Sequence, residues 1–263
     1  MSSDSPLVSQ HALLRALPET SGNRLLSCLE LIEMPIGELP LSIRGQDVVY
    51  LPLNCVLANE IVDEHGDSAF QAFASGMHIF GLQRTIVPSA NQRLTVIGKG
   101  HAFRGRREEV YGVLMELEID NLFQIATLRG MIELNSRNAI CAQSHYLPAR
   151  IARLLVEAHH AFGNGRDITI NQKLLGTFLG TRRETVSEVL KLYDRENLIS
   201  LHRQRITINN IVELKRKACQ CWESSVKTTT HYRNTFLSKL KIVFSSFALA
   251  EIYVHNSVTL SLL

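Results

Sequence analysis

The stretch that decides the fold begins Ile168-Thr-Ile-Asn-Gln-Lys-Leu-Leu-Gly176 and continues Thr-Phe-Leu-Gly180-Thr-Arg-Arg-Glu-Thr-Val186-Ser-Glu-Val-Leu190. Asn171 suits a helix N-cap, since its side-chain oxygen can accept a first-turn N–H. Leu174, Leu175 and Phe178 fall on one helical face. Gly180 can take the left-handed conformation that ends a helix. A second helix then starts at Thr181-Arg-Arg-Glu, with Val186, Val189, Leu190 and Tyr193 on its inner face. Gly176, Gly180 and Val186 carry the spacing of a helix-turn-helix: a small residue for close approach, a glycine for the turn, a β-branched residue to close the core.

Two short strands follow, Leu198-Ile-Ser-Leu201 and Arg205-Ile-Thr-Ile208, with His202-Arg-Gln-Arg205 at their tip. A basic hairpin after a helix-turn-helix is a wing, placed to reach backbone phosphates of double-stranded DNA. The start of the second helix would enter the major groove. There Arg182 or Arg183 can bond guanine bidentately, and Glu184 can accept from cytosine. Glu188 lies one turn further on. Thr169, Gln172, Lys173, Arg203 and Arg205 are the phosphate candidates.

Charge points the same way. Residues 166–217 hold eleven basic and six acidic residues, and the rest of the chain seventeen and nineteen. The basic surplus therefore lies in this block, as expected where a protein meets phosphates.

Upstream the pattern changes. Residues 9–33 read as short helices, with Pro18 as a stop and Leu25, Leu26 and Leu29 continuing an apolar face. From 34 to 104 the apolar runs are short and glycines recur. Val48-Val-Tyr-Leu51, Val56-Leu57, Ile61-Val62, Ala72-Phe73 and Leu94-Thr-Val-Ile97 are strand candidates, and Asp63-Glu-His-Gly-Asp67 is a hairpin turn. These imply a small antiparallel barrel or sandwich. Residues 109–143 read as one long helix. On it Ile125, Leu128, Ile132, Asn135, Ala139 and Ala142 step by threes and fours, a coiled-coil-like seam that suits a helix packed on its own domain or a dimer, with Asn135 as the polar residue that could fix register. A further helix follows Pro148, with Leu147, Ile151, Leu154, Leu155 and Ala158 on its apolar face, and should end near Gly163-Asn-Gly165.

The chain of 263 residues, 45% hydrophobic and 20% charged, has room for one large or two ordinary domains. Cys28, Cys55, Cys141, Cys219 and Cys221 form no disulfide framework. Residues 1–6 lack a signal peptide's basic region and apolar core. The apolar tail after Ile242 is interrupted by Ser245, Ser246, Glu251, His255 and Asn256, so no membrane partner is expected and the cytoplasm is the expected compartment. A nucleophile elbow, a phosphate loop, a His-x-x-x-His pair and an acid–base carboxylate pair are all missing, so an enzyme is not expected.

This order of short-stranded domain, long helix and winged helix-turn-helix resembles the Crp/Fnr family, the cyclic-AMP receptor protein and its relatives. Leu179-Gly-Thr-Arg-Arg-Glu-Thr-Val-Ser187 resembles that family's recognition helix, and Leu198 to Ile208 its wing. Ala218-Cys-Gln-Cys-Trp222 resembles an ending found in a subgroup without an obvious nucleotide site. The resemblance implies an α+β protein: a β-roll sensor domain over 1–108, a dimerisation helix over 109–143, and a winged helix-turn-helix over 144–222. It also implies a homodimer on a two-fold symmetric operator, with Ser187 beside the base-reading residues and RNA polymerase as a further partner.

Some residues depart from the family pattern. Phe80-Gly81 is followed by Leu82 where cyclic-AMP binders carry Glu, and no Arg-Ser-Ala or Arg-Thr-Ala follows. Ribose and phosphate partners are thus both missing, and no cyclic nucleotide is expected. Only Cys28 and Cys55 lie in the first half, which argues against an iron–sulfur cluster. Haem would need an axial ligand such as His78 or His101. Cys219-Gln-Cys221 has no His or Cys near it in sequence at ligand spacing, so no metal or other cofactor is expected. Glu188 stands where relatives often have Arg, and Gln204 where the wing usually has Gly. These two, with the apolar tail, motivate a second reading: a protein-interaction module that pairs with another regulator. Residues 223–263 form a C-terminal extension of no assigned role; 236–263 have no counterpart in the resemblance, and a docking helix, a strand and a poorly ordered tail all suit them.

Overall fold

A computed structural model describes residues 8–74, 76, 78–82, 91–163, 167–203 and 205–260. Gln204, Asn164, Gly165, Arg166 and residues 1–6 lie outside the described residues.

Two short helices open the chain, α1 (Ala12–Ala16) and α2 (Glu19–Leu26). Eight strands follow: β1 (Leu29–Met34), β2 (Gly37–Leu39), β3 (Ser42–Ile43), β4 (Gln46–Pro52), β5 (Val56–Val62), β6 (Ser68–Ala74), β7 (Asn91–Gly98) and β8 (Gly100–Arg106). They form two antiparallel sheets, ordered β1-β8-β4-β3 and β2-β7-β5-β6. The expected β-roll is therefore present. Its turn at 63–67 joins β5 to β6, with Gly66 at φ 87° and the Asp63 carboxylate accepting the His65 and Asp67 N–H groups.

One reading of the opening segment needs correction. Leu29 does not extend a helical face; it starts β1, which pairs with β8 along its whole length. Leu29 and Leu31 pack inward with exposed Glu30 between them, a spacing of two that only the partner strand makes decisive.

The long helix also differs from expectation. It is two helices, α3 (Arg107–Glu116) and α4 (Asp120–Ser144). Glu118 sits at φ 55° between them. The Ile119 N–H bonds Leu114 O at 3.0 Å and the Glu118 N–H bonds Met115 O at 2.9 Å, a Schellman ending. Fully buried Ile119 and Leu114 supply its apolar contact. A glycine normally marks such a break; here Glu118 holds the left-handed position.

Helices α5 (Leu147–Ala161), α6 (Gln172–Leu179), α7 (Arg183–Arg195) and α8 (Ile211–Lys217) and strands β9 (Asp167–Ile168), β10 (Ile199–Leu201) and β11 (Ile206–Ile208) build the C-terminal winged unit. Its core joins Ile151, Leu155, Leu175, Val186, Leu190 and Ile206, and continues into Val56, Ala58, Phe70 and Ile97 of the β5–β7 sheet. The last helix, α9 (Cys221–Leu260), runs back along α4 and against α1, burying Phe236 and Leu240 in the core of the N-terminal domain. The C-terminal segment is thus a docking helix.

Candidate nucleic-acid interface

The site is assembled from its caps inward. The Asn171 side chain accepts the Leu174 N–H at 2.9 Å and starts α6. Gly180 ends it at φ 60°, with Thr181 N–H on Gly176 O at 3.0 Å and Gly180 N–H on Thr177 O at 3.2 Å. Arg150 Nη2 donates to the otherwise spare Leu179 carbonyl at 2.9 Å. A Cβ on Gly176 would lie 2.9 Å from Thr181 O, so the two helices meet where only hydrogen fits.

Helix α7 starts with exposed Arg182 as N-cap. Val186, Leu190 and Tyr193 are buried, and the Tyr193 hydroxyl donates to Pro148 O at 2.8 Å. Burial pushes this phenol up to about 12, so it remains a donor. The opposite face of α7 is left to solvent: Arg182, Arg183, Glu184 and Glu188 are exposed and Ser187 is half-buried. The wing pairs Ile199 with Ile208 and Leu201 with Ile206, and the His202 N–H closes its tip on Arg205 O at 2.9 Å.

A groove between wing and helix-turn-helix brings together Gln172, Lys173, Arg183 and Arg203, with Asn171 and His202 beside them. Among the described residues, Arg182, Arg183 and Arg203 make no ion pair. The basic residues of α8 are used otherwise: Arg216 pairs with Glu213, Lys217 with Glu196 at 2.9 Å, and Lys215 lies over Trp222. Arg205 is exposed beside the wing tip. Thr169 is not in this groove. It shares with Lys173 a second cleft, walled by Glu38, Glu60 and Arg93 of the β-roll. Sequence reasoning missed Asn171 and His202 as groove residues, because one reads as a cap and the other as a turn.

Two further features lie away from this surface. An apolar cavity between the β5–β6 sheet, α4 and α9 is lined by Phe80, Phe123, Met131, Leu134 and Phe236, with Asn59 and Gln71 as its amides. Among the described residues, His78 lines it and no Lys, Arg, Asp or Glu does. Asn59 donates to Gln71 at 2.8 Å and accepts from Gln92 at 2.9 Å. Beside it Gly81, at φ 80°, leaves no space for a side chain, since a Cβ would stand 2.3 Å from Val48 O.

The second feature corrects the reading of Cys219-Gln-Cys221 as isolated. The fold places Cys141 and His145 against this pair, Cys141 Sγ being 3.5 Å from Cys219 Sγ. A hydrogen bond from Cys219, helped by the Arg153 charge and opposed by burial, holds the Cys141 thiol down to about 4, while Cys219 is pushed up. The sequence signal was the Cys141-x-x-x-His145 spacing, which sets both on one helical face.

A β-roll, a long helix and a winged helix-turn-helix in this order make up the Crp/Fnr-type regulator fold. Residues 149–217 match the Crp-like helix-turn-helix domain, so the chain carries that domain. Its fold is shared with FixK2 from Bradyrhizobium japonicum, at 15% identity and a TM-score of 0.56, covering 73% of this chain and 98% of that one. A putative transcriptional regulator of the Crp/Fnr family from Eubacterium rectale follows at 15% identity and 0.55, covering 78% and 96%. The c-di-GMP responsive global regulator CLP of Xanthomonas campestris gives 13% and 0.54, covering 73% and 99%. No curated protein matches the chain. No described helix is long and apolar enough to cross a membrane.

Proposed function

We propose that the chain is a cytoplasmic transcription regulator, not an enzyme, that binds a two-fold symmetric DNA operator as a homodimer. The observation that carries this reading is the solvent-facing N-terminus of α7, where Arg182 and Arg183 have no carboxylate partner among the described residues and stand beside a basic groove. Arg182, Arg183, Glu184, Ser187 and Glu188 read bases; Gln172, Lys173, Arg203 and Arg205 hold phosphates, with Thr169 joining them once the second cleft opens. Dimerisation is supported by α4. Its seam residues Ile125, Leu128 and Ile132 are 56%, 48% and 65% exposed, and Asn135 and Ala139 are exposed beside them. An apolar stripe of this kind on a single chain asks for a partner.

The described lining of the cavity, which holds His78 and no Lys or Arg, supports an effector other than a cyclic nucleotide, whose phosphate favours a cation beside it. RNA polymerase is a further contact under this reading. The test is selection of bound duplexes from a random pool, repeated with Arg183→Ala. An enriched palindrome that is lost in the variant is the expected result, with affinity falling steeply as salt rises. Absence of enrichment over a range of salt would favour the protein-interaction module.

A further inference from the structure

We propose that Cys141, His145, Cys219 and Cys221 form a closed Cys3His zinc site that clamps the end of α4 to the segment joining α8 and α9. Their four ligand atoms lie within 4.8 Å of one another. Cys141 Sγ is 3.5 Å from Cys219 Sγ, and Cys221 Sγ is 3.7 Å from His145 Nδ1. Zinc bonds of about 2.3 Å to sulfur and about 2.0 Å to nitrogen set tetrahedral donors roughly 3.5–3.8 Å apart. Two of the pairs therefore already stand at ligand separation. The space between the four suits a single ion and not a cluster of several. Three thiolates with one imidazole is a set that zinc favours and hard cations do not. With four protein donors, no position is left open for substrate, as in a structural zinc centre.

The supports around the donors fit the same assignment. Cys141 sits in the last turn of α4 and His145 is its cap, bonded back to Cys141 O at 3.2 Å. The Cys219 N–H is held on Ala149 O at 3.3 Å, and the Cys221 N–H faces the Cys219 sulfur. Three thiolates exceed the charge of Zn²⁺ by one. Arg153, 5% exposed and beside Cys141, is the cation that faces that excess, and it is held in place by Glu157 at 2.9 Å. Any one of these residues alone is explained by packing. Packing does not explain why ligand-type side chains from two segments more than seventy residues apart converge donor to donor.

The clamp crosses the only non-helical joint between α4 and α5, at His145 and Tyr146. An ion there fixes the angle between dimer helix and DNA head, a consequence that rests on the regulator reading. The site itself does not. The test uses the full chain, purified with a thiol reductant and without chelator, and elemental analysis. One zinc per chain is expected. Cys219→Ser and His145→Ala should lose it, while Cys28→Ser, remote from the site, should retain it. Because a ligand variant can fail to fold, the wild-type protein is also titrated with a mercurial thiol reagent, which should release the zinc into a chromogenic chelator. Refilling with Co²⁺ should give thiolate-to-cobalt charge transfer and the strong visible bands of tetrahedral cobalt. Reduced wild-type protein without stoichiometric zinc, whose thiols added zinc fails to protect from alkylation, would overturn the proposal. So would iron in place of zinc, or a Cys141–Cys219 disulfide under the same conditions. Duplex binding is recorded separately, so a protein that holds zinc but no DNA fails the regulator reading and not this one.

Discussion

Gly176 and Gly112 are both helical glycines, and their surroundings give opposite expectations. A Cβ on Gly176 would press on the Thr181 carbonyl, which is backbone and cannot swing aside. Gly176→Ala should therefore destabilise the chain by about 1–3 kcal/mol, as overpacking does. Gly112, in the middle of α3, has nothing within 4 Å of a built Cβ. Gly112→Ala should stabilise by roughly 0.5–1 kcal/mol, from helix propensity alone. Thermal melts of both variants check the pair; equal effects would mean that α6 and α7 are not packed as described. His11 offers a pH test at the same scale. It is fully buried, with Nε2 3.3 Å from His78 O, and burial lowers its value from 6.5 to about 4. Above pH 6.5 folded and unfolded chains both carry it neutral. As pH falls, the unfolded chain takes up the proton first, so stability drops until about pH 4 and then levels. The loss is roughly 3 kcal/mol. Denaturant midpoints across that window should flatten in His11→Leu.

At the scale of elements, α4 carries the next expectation. Ile132 lies at the centre of the exposed seam. An unpaired charge buried there costs about 3 kcal/mol, roughly 100-fold in dimer Kd. Ile132→Glu should thus shift the chain toward monomer in sedimentation equilibrium. Val212→Glu, an exposed apolar residue on α8, should not. The exposed apolar stripe proposed as the seam was legible in the sequence as a period, and so was the helix-turn-helix, where Asn171, Gly176 and Gly180 each leave a local mark. The break before α4 was not. Glu118 takes a left-handed conformation with no glycine to announce it, and buried Ile119 makes the turn worthwhile only in the folded chain. Strand β1 was hidden for a related reason: Leu29, Leu31 and Ile32 fit a helix as well as a strand until β8 is beside them. The cysteine–histidine convergence lay beyond any local pattern, since its halves are more than seventy residues apart and meet only when α8 and α9 pack on α5 and α4.

For the whole molecule, the question is how the β-roll holds the DNA head. Phe70 and Phe73 of β6 pack on Phe178 of α6, with ring centroids 4.7 and 6.0 Å from it. Asn138 of α4 ties the same strand by donating to the Phe70 and Gln71 carbonyls, and it accepts from Arg153 of α5. In this docked arrangement Thr169 and Lys173 face Glu60 and the Glu38–Arg93 pair across a cleft, where the β-roll wall stands in the place of a phosphate. DNA binding should then compete with docking. Phe73 is half-buried and lies outside the head's own core, so Phe73→Ala weakens the contact without emptying the helix-turn-helix. The expected stability loss is about 1–3 kcal/mol. If docking withholds the phosphate contacts, each 1.4 kcal/mol removed from it raises duplex affinity by up to about tenfold. Melting and duplex titration of the variant at one salt concentration separate the two effects. A lower melting temperature with tighter binding places the docked form off the binding pathway. A lower melting temperature with unchanged affinity means the head binds DNA while docked, and the phosphate role of Thr169 then falls.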